Sequence, residues 1–158
     1  FGVMLARILE YNGDIEATDY IYDVTASWSK DSIAELVAMG VVNKNEPFRP
    51  TDYITRYEVA EMLYNCLELG NYSTSCLLTD INSMTTLGSI VGRCWNAGLI
   101  AGYSDNTFGG ANNITRAEAV TLINRIFYST METNKVNRFS DVSPTYWAYS
   151  YILKASQQ

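Results

Sequence analysis

The sequence has no histidine, and it has only three cysteines and three prolines in 158 residues. Histidine is the most common general base and metal ligand, so its absence argues against the usual catalytic and metal sites. An odd, sparse set of cysteines is typical neither of a disulfide framework nor of a metal motif. No nucleophile motif and no inward-facing pair of carboxylates is present. We therefore predict a protein that is not an enzyme and has no cofactor or metal.

Long apolar runs and excess positive charge are also missing. No stretch has the apolar length of a membrane span, so we predict no membrane insertion. The net charge of −6 argues against a nucleic-acid surface, which would need a positive field. A single anionic group can still be held at a local arginine. The apolar fraction of 47% is sufficient for the core of one ordinary domain.

The cysteines have separate interpretations. Cys94 lies in an apolar helical pattern and is predicted to be a core residue. Cys66 and Cys76 flank a short polar loop, where they either pair or remain two reduced thiols.

Two copies of one short motif open helix-periodic runs, at Ile54–Glu58 and Ile114–Glu118. Threonine followed by glutamate three residues later is a capping box, in which each side chain accepts from the other residue's backbone N–H. The predicted capping residues are Thr55, Glu58, Thr115 and Glu118.

The arginine inside each motif is not explained by capping. A cation in the first turn opposes the helix dipole, so Arg56 and Arg116 carry a small local cost. One interpretation is an anion site formed by the guanidinium and the free N–H groups of the helix start. The other is an ion pair with a nearby carboxylate of this acidic chain.

Helical periodicity predicts six helices, most of them ended by glycine or Asn-Gly. They cover residues 1–11, 28–39, 56–69, 86–97, 116–128 and 147–157, with Ser27 as an N-cap and Trp28, Ile33, Leu36 and Val37 on a buried face. The helix over 1–11 is predicted to end at Asn12-Gly13 and to bury Phe1, Met4, Leu5, Ile8 and Leu9.

The pattern repeats with a period of about 60 residues, since Ile54 and Ile114 lie 60 residues apart. Each unit runs from an aspartate through a helix, a glycine and a loop to the ITR-x-E motif and a second helix. Asp23, Asp80 and Asp141 begin the units and are predicted to cap the following turn. We predict one domain with boundaries at 1–13, 14–70, 71–130 and 131–158. The chain begins inside a helical pattern, so we expect a longer parent protein.

These motifs resemble the S-layer homology (SLH) repeats of bacterial cell-surface proteins over essentially the whole chain. The matching stretches are Phe139–Val142 with Trp147-Ala148, Ala97–Phe108, and Ile114–Glu118. In the first unit a shorter loop, Asn43–Pro47, replaces the glycine-rich one. Thr86 stands in the second unit where the other two have tryptophan.

The resemblance implies a mainly α fold in a pseudo-threefold arrangement, with a central three-helix bundle and grooves between repeats. It implies an extracellular module that binds an anionic, pyruvylated cell-wall polysaccharide. Arg56 and Arg116 are the implied ligand residues, and a carboxylate suits bidentate binding by a guanidinium. Trp28 and Trp147 either cover sugar rings or anchor the core. Gly102 and Asp105, in the turn-rich loop, complete the candidate set.

Two further expectations concern the sites and the ends. The glycine-rich loop permits close backbone approach to a ligand, so the Arg116 site is expected to bind better than the Arg56 site. Residues 1–11 are expected to contact residues 146–157 and close the threefold body. The alternative function is a protein–protein or self-assembly module of a surface layer, which the 12 tyrosines would suit.

Overall fold

The structure is a computed structural model that describes residues 1–127 and 139–155. The predicted connector over 129–138 lies outside the described residues, as do the predicted helical residues at 128, 156 and 157. The chain divides into two compact units, Phe1–Asn113 and Ile114–Gln158.

The described residues are mainly helical, which confirms the predicted fold class. The helices are α1 Gly2–Leu9, α2 Ser27–Ala38, α3 Arg56–Cys66, α4 Thr86–Asn96, α5 Arg116–Phe127 and α6 Tyr149–Ala155, with a 3-10 turn at Ala17–Asp19. Within the described residues, the β-pairing is one isolated antiparallel bridge between Thr55 and Asn113. The pseudo-threefold arrangement and the contact between the first and last helices stay predictions.

Helices α3 and α5 begin with the same local structure. The hydroxyl of Thr55 accepts from the N–H of Glu58 at 3.3 Å, and the Glu58 carboxylate accepts from the N–H of Thr55 at 2.7 Å. The equivalent distances for Thr115 and Glu118 are 3.2 and 2.9 Å. Each pair satisfies two backbone donors that a helix start leaves without partners.

Several predicted helix boundaries are wrong. Helix α3 was expected to run to residue 69 and to be stopped by Gly70, but it ends at Cys66, and α6 begins at Tyr149 rather than at Trp147. Helix α1 ends at Leu9 rather than at Asn12-Gly13, and Glu10 takes the left-handed conformation with φ 47°. Helix α2 begins at Ser27 itself, and its N-cap position is Ala26. By contrast, α2 and α4 are followed by Gly40 and Gly98, each with φ 73°, as expected for glycine stops.

Packing joins the second helix of one repeat to the first helix of the next. Within the first unit, α1 packs on α2 and α3 packs on α4, and within the second unit α5 packs on α6. Helix α1 can approach α2 closely because it carries Gly2, whose Cβ would lie 3.1 Å from Ile33 Cδ1. The core of the first unit includes Leu5, Ile33, Leu36, Val59, Leu63, Val91 and Cys94.

Trp28 is not in the buried face of α2, contrary to the prediction, since 71% of its surface is exposed. The buried positions follow the helical period from Ser29 through Ile33 to Leu36 and Val37, and Trp28 is one residue out of phase. Met4 of α1 was also predicted to be buried, and it is 40% exposed. The core-anchor interpretation of Trp28 is therefore wrong.

None of the helices in the described part of the chain has the length and apolar character needed to cross a lipid bilayer.

Candidate functional site

The aspartate that begins each whole repeat holds the loop that precedes the ITR-x-E motif. Asp80 accepts hydrogen bonds from the backbone N–H groups of Phe108 and Gly109, at 2.7 and 2.8 Å. Asp23 does the same for the N–H groups of Phe48 and Arg49, at 3.1 and 2.8 Å. The prediction that Asp23 and Asp80 cap the following turn is therefore wrong, because each binds backbone more than twenty residues away.

Held in this way, the loop of the second repeat lies against the start of α3, from the first repeat. The N–H of Arg56 donates to the carbonyl of Asn112 and the N–H of Tyr57 donates to the carbonyl of Gly110, both at 2.9 Å. These two N–H groups are donors that a helix cannot satisfy internally. At this helix start, protein carbonyls therefore occupy the place where an anion would bind.

The Arg56 side chain is engaged by the same loop. Its Nε donates to the carbonyl of Phe108 and an Nη to the carbonyl of Ala101, both at 2.8 Å. The guanidinium carbon also lies 4.6 Å from the ring centre of Tyr103 and 4.7 Å from that of Phe108. These contacts supply the negative partners that a cation in the first helical turn requires.

The glycines of the loop make room for protein atoms. A Cβ on Gly102 would collide with the side chain of Leu78, and one on Gly110 would collide with the ring of Tyr57. Gly109 has φ 62°, and a Cβ there would lie 2.6 Å from Tyr103 and from Asn112. The loop contacts Arg56, so close approach of a ligand at the glycines does not explain stronger binding at Arg116.

Asp105 accepts hydrogen bonds from a residue of the same loop. Its carboxylate accepts from the N–H and the hydroxyl of Thr107, at 3.0 and 2.7 Å, and these hydrogen bonds lower the pKa of Asp105. The structure thus brings Arg56 together with the loop that contains Gly102 and Asp105.

Arg116 has different surroundings at the start of α5. It is exposed, and its guanidinium has no ion-pair or hydrogen-bond partner among residues 1–127 and 139–155. The backbone N–H groups of Arg116 and Ala117 also have no acceptor within these ranges. The capping box of Thr115 and Glu118 leaves these groups unused, so the helix start presents a guanidinium and two aligned donors.

The two candidate tryptophans, Trp28 and Trp147, are both exposed. Trp28 lines a groove of about 600 Å³ in the first unit, with Tyr53, Arg7, Arg49 and Glu61 among its other lining residues. Arg56 is not among them. Trp147 is 55% exposed and lies beside Tyr146, with ring centres 5.7 Å apart.

Arg49 and Tyr53 of this groove were missed in the sequence. Arg49 occupies the position of Gly109 in the repeat and takes a similar left-handed conformation, with φ 56°. A non-glycine residue there is uncommon and worth attention, and the 60-residue alignment contained that signal. The Arg49 guanidinium pairs with Glu58, and it lies 4.0 Å from Asp52.

The contacts of Glu58 determine the direction in which its pKa is shifted. Burial tends to raise the pKa of Glu58, but hydrogen bonds from Thr55 and the nearby Arg49 cation outweigh it, so the pKa is lowered. The capping box of α3 is therefore tied to the groove through one carboxylate.

The three cysteines are free thiols. Burial raises the pKa of Cys66 to about 11 and that of Cys94 to about 12, so both stay protonated and poorly nucleophilic near neutral pH. Among the described residues, His, Cys, Asp and Glu side chains form no cluster that would hold a metal ion.

Comparison with known proteins agrees with the resemblance found in the sequence. The family model of the S-layer homology domain matches residues 21–60 and 78–120. A cellulosome-anchoring protein of Acetivibrio thermocellus is 38% identical over 66% of this chain and 24% of its own length. Cell surface glycoprotein 1 of the same organism is 30% identical over 96% of this chain and 7% of its own length.

The chain thus spans about a quarter of the first relative and a small fraction of the second. No solved structure matches it significantly. The two matched segments each run from the start of a repeat into the helix after its ITR-x-E motif, and together they cover more than half of the sequence. The chain belongs to the S-layer homology family.

Proposed function

We propose that this chain is a non-catalytic, extracellular module that anchors its parent protein to the bacterial cell wall. In this proposal the ligand is an anionic wall polysaccharide, and the anionic group is a pyruvate ketal. Membership of the family and the names of the two relatives support the anchoring role.

The observation that carries the proposal is the state of Arg116. The guanidinium and the N–H groups of Arg116 and Ala117 lie together at one helix start, and none of them has a partner in the described part of the chain. A carboxylate complements this arrangement, because it accepts two parallel hydrogen bonds from a guanidinium and is favoured by the helix dipole. The ligand in this proposal occupies the place that loop carbonyls occupy at α3.

The test is co-sedimentation with purified cell-wall sacculi. We expect the wild-type chain to bind sacculi, and to lose at least about tenfold in affinity when pyruvate groups are removed, which corresponds to about 1.4 kcal/mol. Arg116→Ala is expected to cause a loss of similar size with intact sacculi.

The matched control is Thr115→Ala, one residue away. It removes the helix cap, at a cost of about 1 kcal/mol in the free energy of unfolding, and leaves the guanidinium in place. We expect it to bind sacculi like the wild type at temperatures where it is folded. Failure of the wild-type chain to bind sacculi would contradict the anchoring role and favour the protein–protein alternative. Full binding by Arg116→Ala would contradict the assignment of the anion site to Arg116.

A further inference from the structure

The Asn12-Gly13 pair lies between two helical elements instead of ending α1. Both residues are exposed, in the segment that joins the end of α1 at Leu9 to the 3-10 turn that begins at Ala17. The side-chain amide of Asn12 and the backbone N–H of Gly13 have no hydrogen-bond partner in the part of the chain that the structure describes. Both groups are therefore accessible to each other and to water.

Two other exposed asparagines are held by hydrogen bonds. The Oδ1 of Asn43 accepts from the N–H of Asn45 at 3.1 Å, and the Oδ1 of Asn82 accepts from the N–H of Met84 at 3.0 Å. Such a bond to the backbone two residues later fixes the side-chain carbonyl relative to the backbone that follows it. The side chain of Asn12 makes no bond of this kind within residues 1–127 and 139–155, so it keeps its rotational freedom.

Glycine is required at position 13 because of its neighbour Tyr11. A Cβ on Gly13 would collide with the ring and the hydroxyl of Tyr11, and that hydroxyl donates to the carbonyl of Asp14 at 3.4 Å. Glycine also has no side chain beside its nitrogen, and its backbone has wide conformational freedom. The fold thus keeps, directly after Asn12, the residue type that gives an asparagine the least steric protection.

We propose that Asn12 is a site of covalent self-modification, where the chain loses ammonia and forms a succinimide. Asparagine is among the thermolabile residue types. The nitrogen of Gly13 attacks the side-chain carbon Cγ of Asn12, and the new N–Cγ bond replaces the Cγ–Nδ2 bond. Nδ2 leaves as ammonia and takes the proton of the Gly13 N–H. Water then opens the ring at one of its two carbonyls, which gives aspartate or isoaspartate.

The modification changes the charge and the backbone at one place. Either product adds a negative charge close to Asp14 and Glu16. Isoaspartate also adds one carbon to the main chain between Tyr11 and Asp14, so we expect it to break the hydrogen bond that joins these two residues. The site lies where α1 connects to the first whole repeat. The inference does not depend on the proposed anchoring role.

The experiment is incubation of the folded chain at mildly alkaline pH, followed by peptide mass spectrometry that separates the asparagine, aspartate and isoaspartate forms. The peptide with Asn71 is the internal control. Asn71 is exposed, has no side-chain hydrogen bond in the described part of the chain, and precedes Tyr72 instead of glycine. We expect Asn12 to react at least about tenfold faster than Asn71, which corresponds to a barrier lower by about 1.4 kcal/mol.

A parallel incubation in guanidinium chloride tests the role of the fold. Unfolding removes the hydrogen bond that holds Asn82, so Asn82 should react at least about tenfold faster in the denaturant than in the folded chain. Asn12 should react at nearly the same rate in both states. Asn12→Gln should remove the product at this position, because attack on the longer side chain requires a larger ring. Its melting temperature should stay close to that of the wild type, since the side chain is exposed.

Three results would overturn the inference. They are the absence of isoaspartate at position 12, conversion of Asn12 no faster than that of Asn71, and a rate at Asn12 that folding lowers as much as it lowers the rate at Asn82. The first two would show that the pair is not a reactive site, and the third would show that the folded chain protects it.

Discussion

The two ITR-x-E motifs have the same capping box and nearly the same letters, yet their arginines are in different states. Arg56 donates to two loop carbonyls and contacts two aromatic rings, whereas Arg116 is exposed and has no partner in the described part of the chain. The difference comes from the loop around residues 101–112, which meets the start of α3. A helix start that carries a cation thus favours negative groups in general. Either protein carbonyls or a ligand can accept the hydrogen bonds of its N–H groups and guanidinium.

The comparison predicts its largest effect in the stability of the two arginine variants. Arg56→Ala should lower the free energy of unfolding by about 3 kcal/mol, because it removes hydrogen bonds from a charged donor and cation–π contacts. Arg116→Ala should change it by less than about 0.5 kcal/mol, as expected for an exposed side chain that has no polar partner among residues 1–127 and 139–155. Urea denaturation of the two variants measures both values. Equal losses would mean that protein groups hold both arginines, and would remove the contrast.

A second prediction concerns the aspartates that begin the repeats. Asp80→Asn should cost about 2 kcal/mol, because the amide cannot accept both N–H groups of the loop as the carboxylate does. Asp141 is exposed and has no partner in the described residues, so Asp141→Asn is the matched control and should be nearly neutral. Thermal unfolding of the two variants tests this. An unchanged melting temperature for Asp80→Asn would show that the loop keeps its position without the two hydrogen bonds to Asp80.

The smallest expected effect is a pH dependence at the capping box of α3. The pKa of Glu58 is lowered in the folded chain, so its contribution to stability is present above the unfolded pKa near 4.5 and is lost as the pH falls through the folded value. Glu58→Gln should therefore flatten the acid side of the stability profile. The profile is measured by thermal melting between pH 3 and pH 7, a window chosen to span the ordinary range of glutamate. An identical profile for wild type and variant would contradict this role of Glu58.

Much of the fold could be predicted because the relevant signals are local. Thr55 with Glu58, and Thr115 with Glu118, define two helix starts through bonds across three residues. Gly40 and Gly98 mark two ends because glycine takes positive φ at little cost. Trp28 was wrongly placed on the buried face, although the helical period itself excludes it. It lies five residues before Ile33, about 140° around the helix, whereas the buried Ser29 lies four residues before Ile33.

The candidate site could be predicted only in part. The sequence identified Arg56 and Arg116 as unusual, since the sign of their charge is wrong for a helix start. It predicted that the two sites differ, but it assigned the glycine-rich loop to Arg116. The loop in fact contacts Arg56, and the carbonyls that hold Arg56 come from residues about fifty positions away. Arg49 was missed for a similar reason, because its importance depends on a left-handed backbone and on a groove built from several segments.

The sequence by itself determined the helices, the 60-residue repeat and the residue types at each helix start, because capping, periodicity and glycine stops act within a few residues. Tertiary structure decided which of those residues are in contact. It joined Asp80 to Phe108 and Gly109, filled the space at Gly102 and Gly110 with side chains, and surrounded Arg56 with carbonyls and rings. Such contacts depend on where distant segments meet in space, and neither periodicity nor residue type specifies that position.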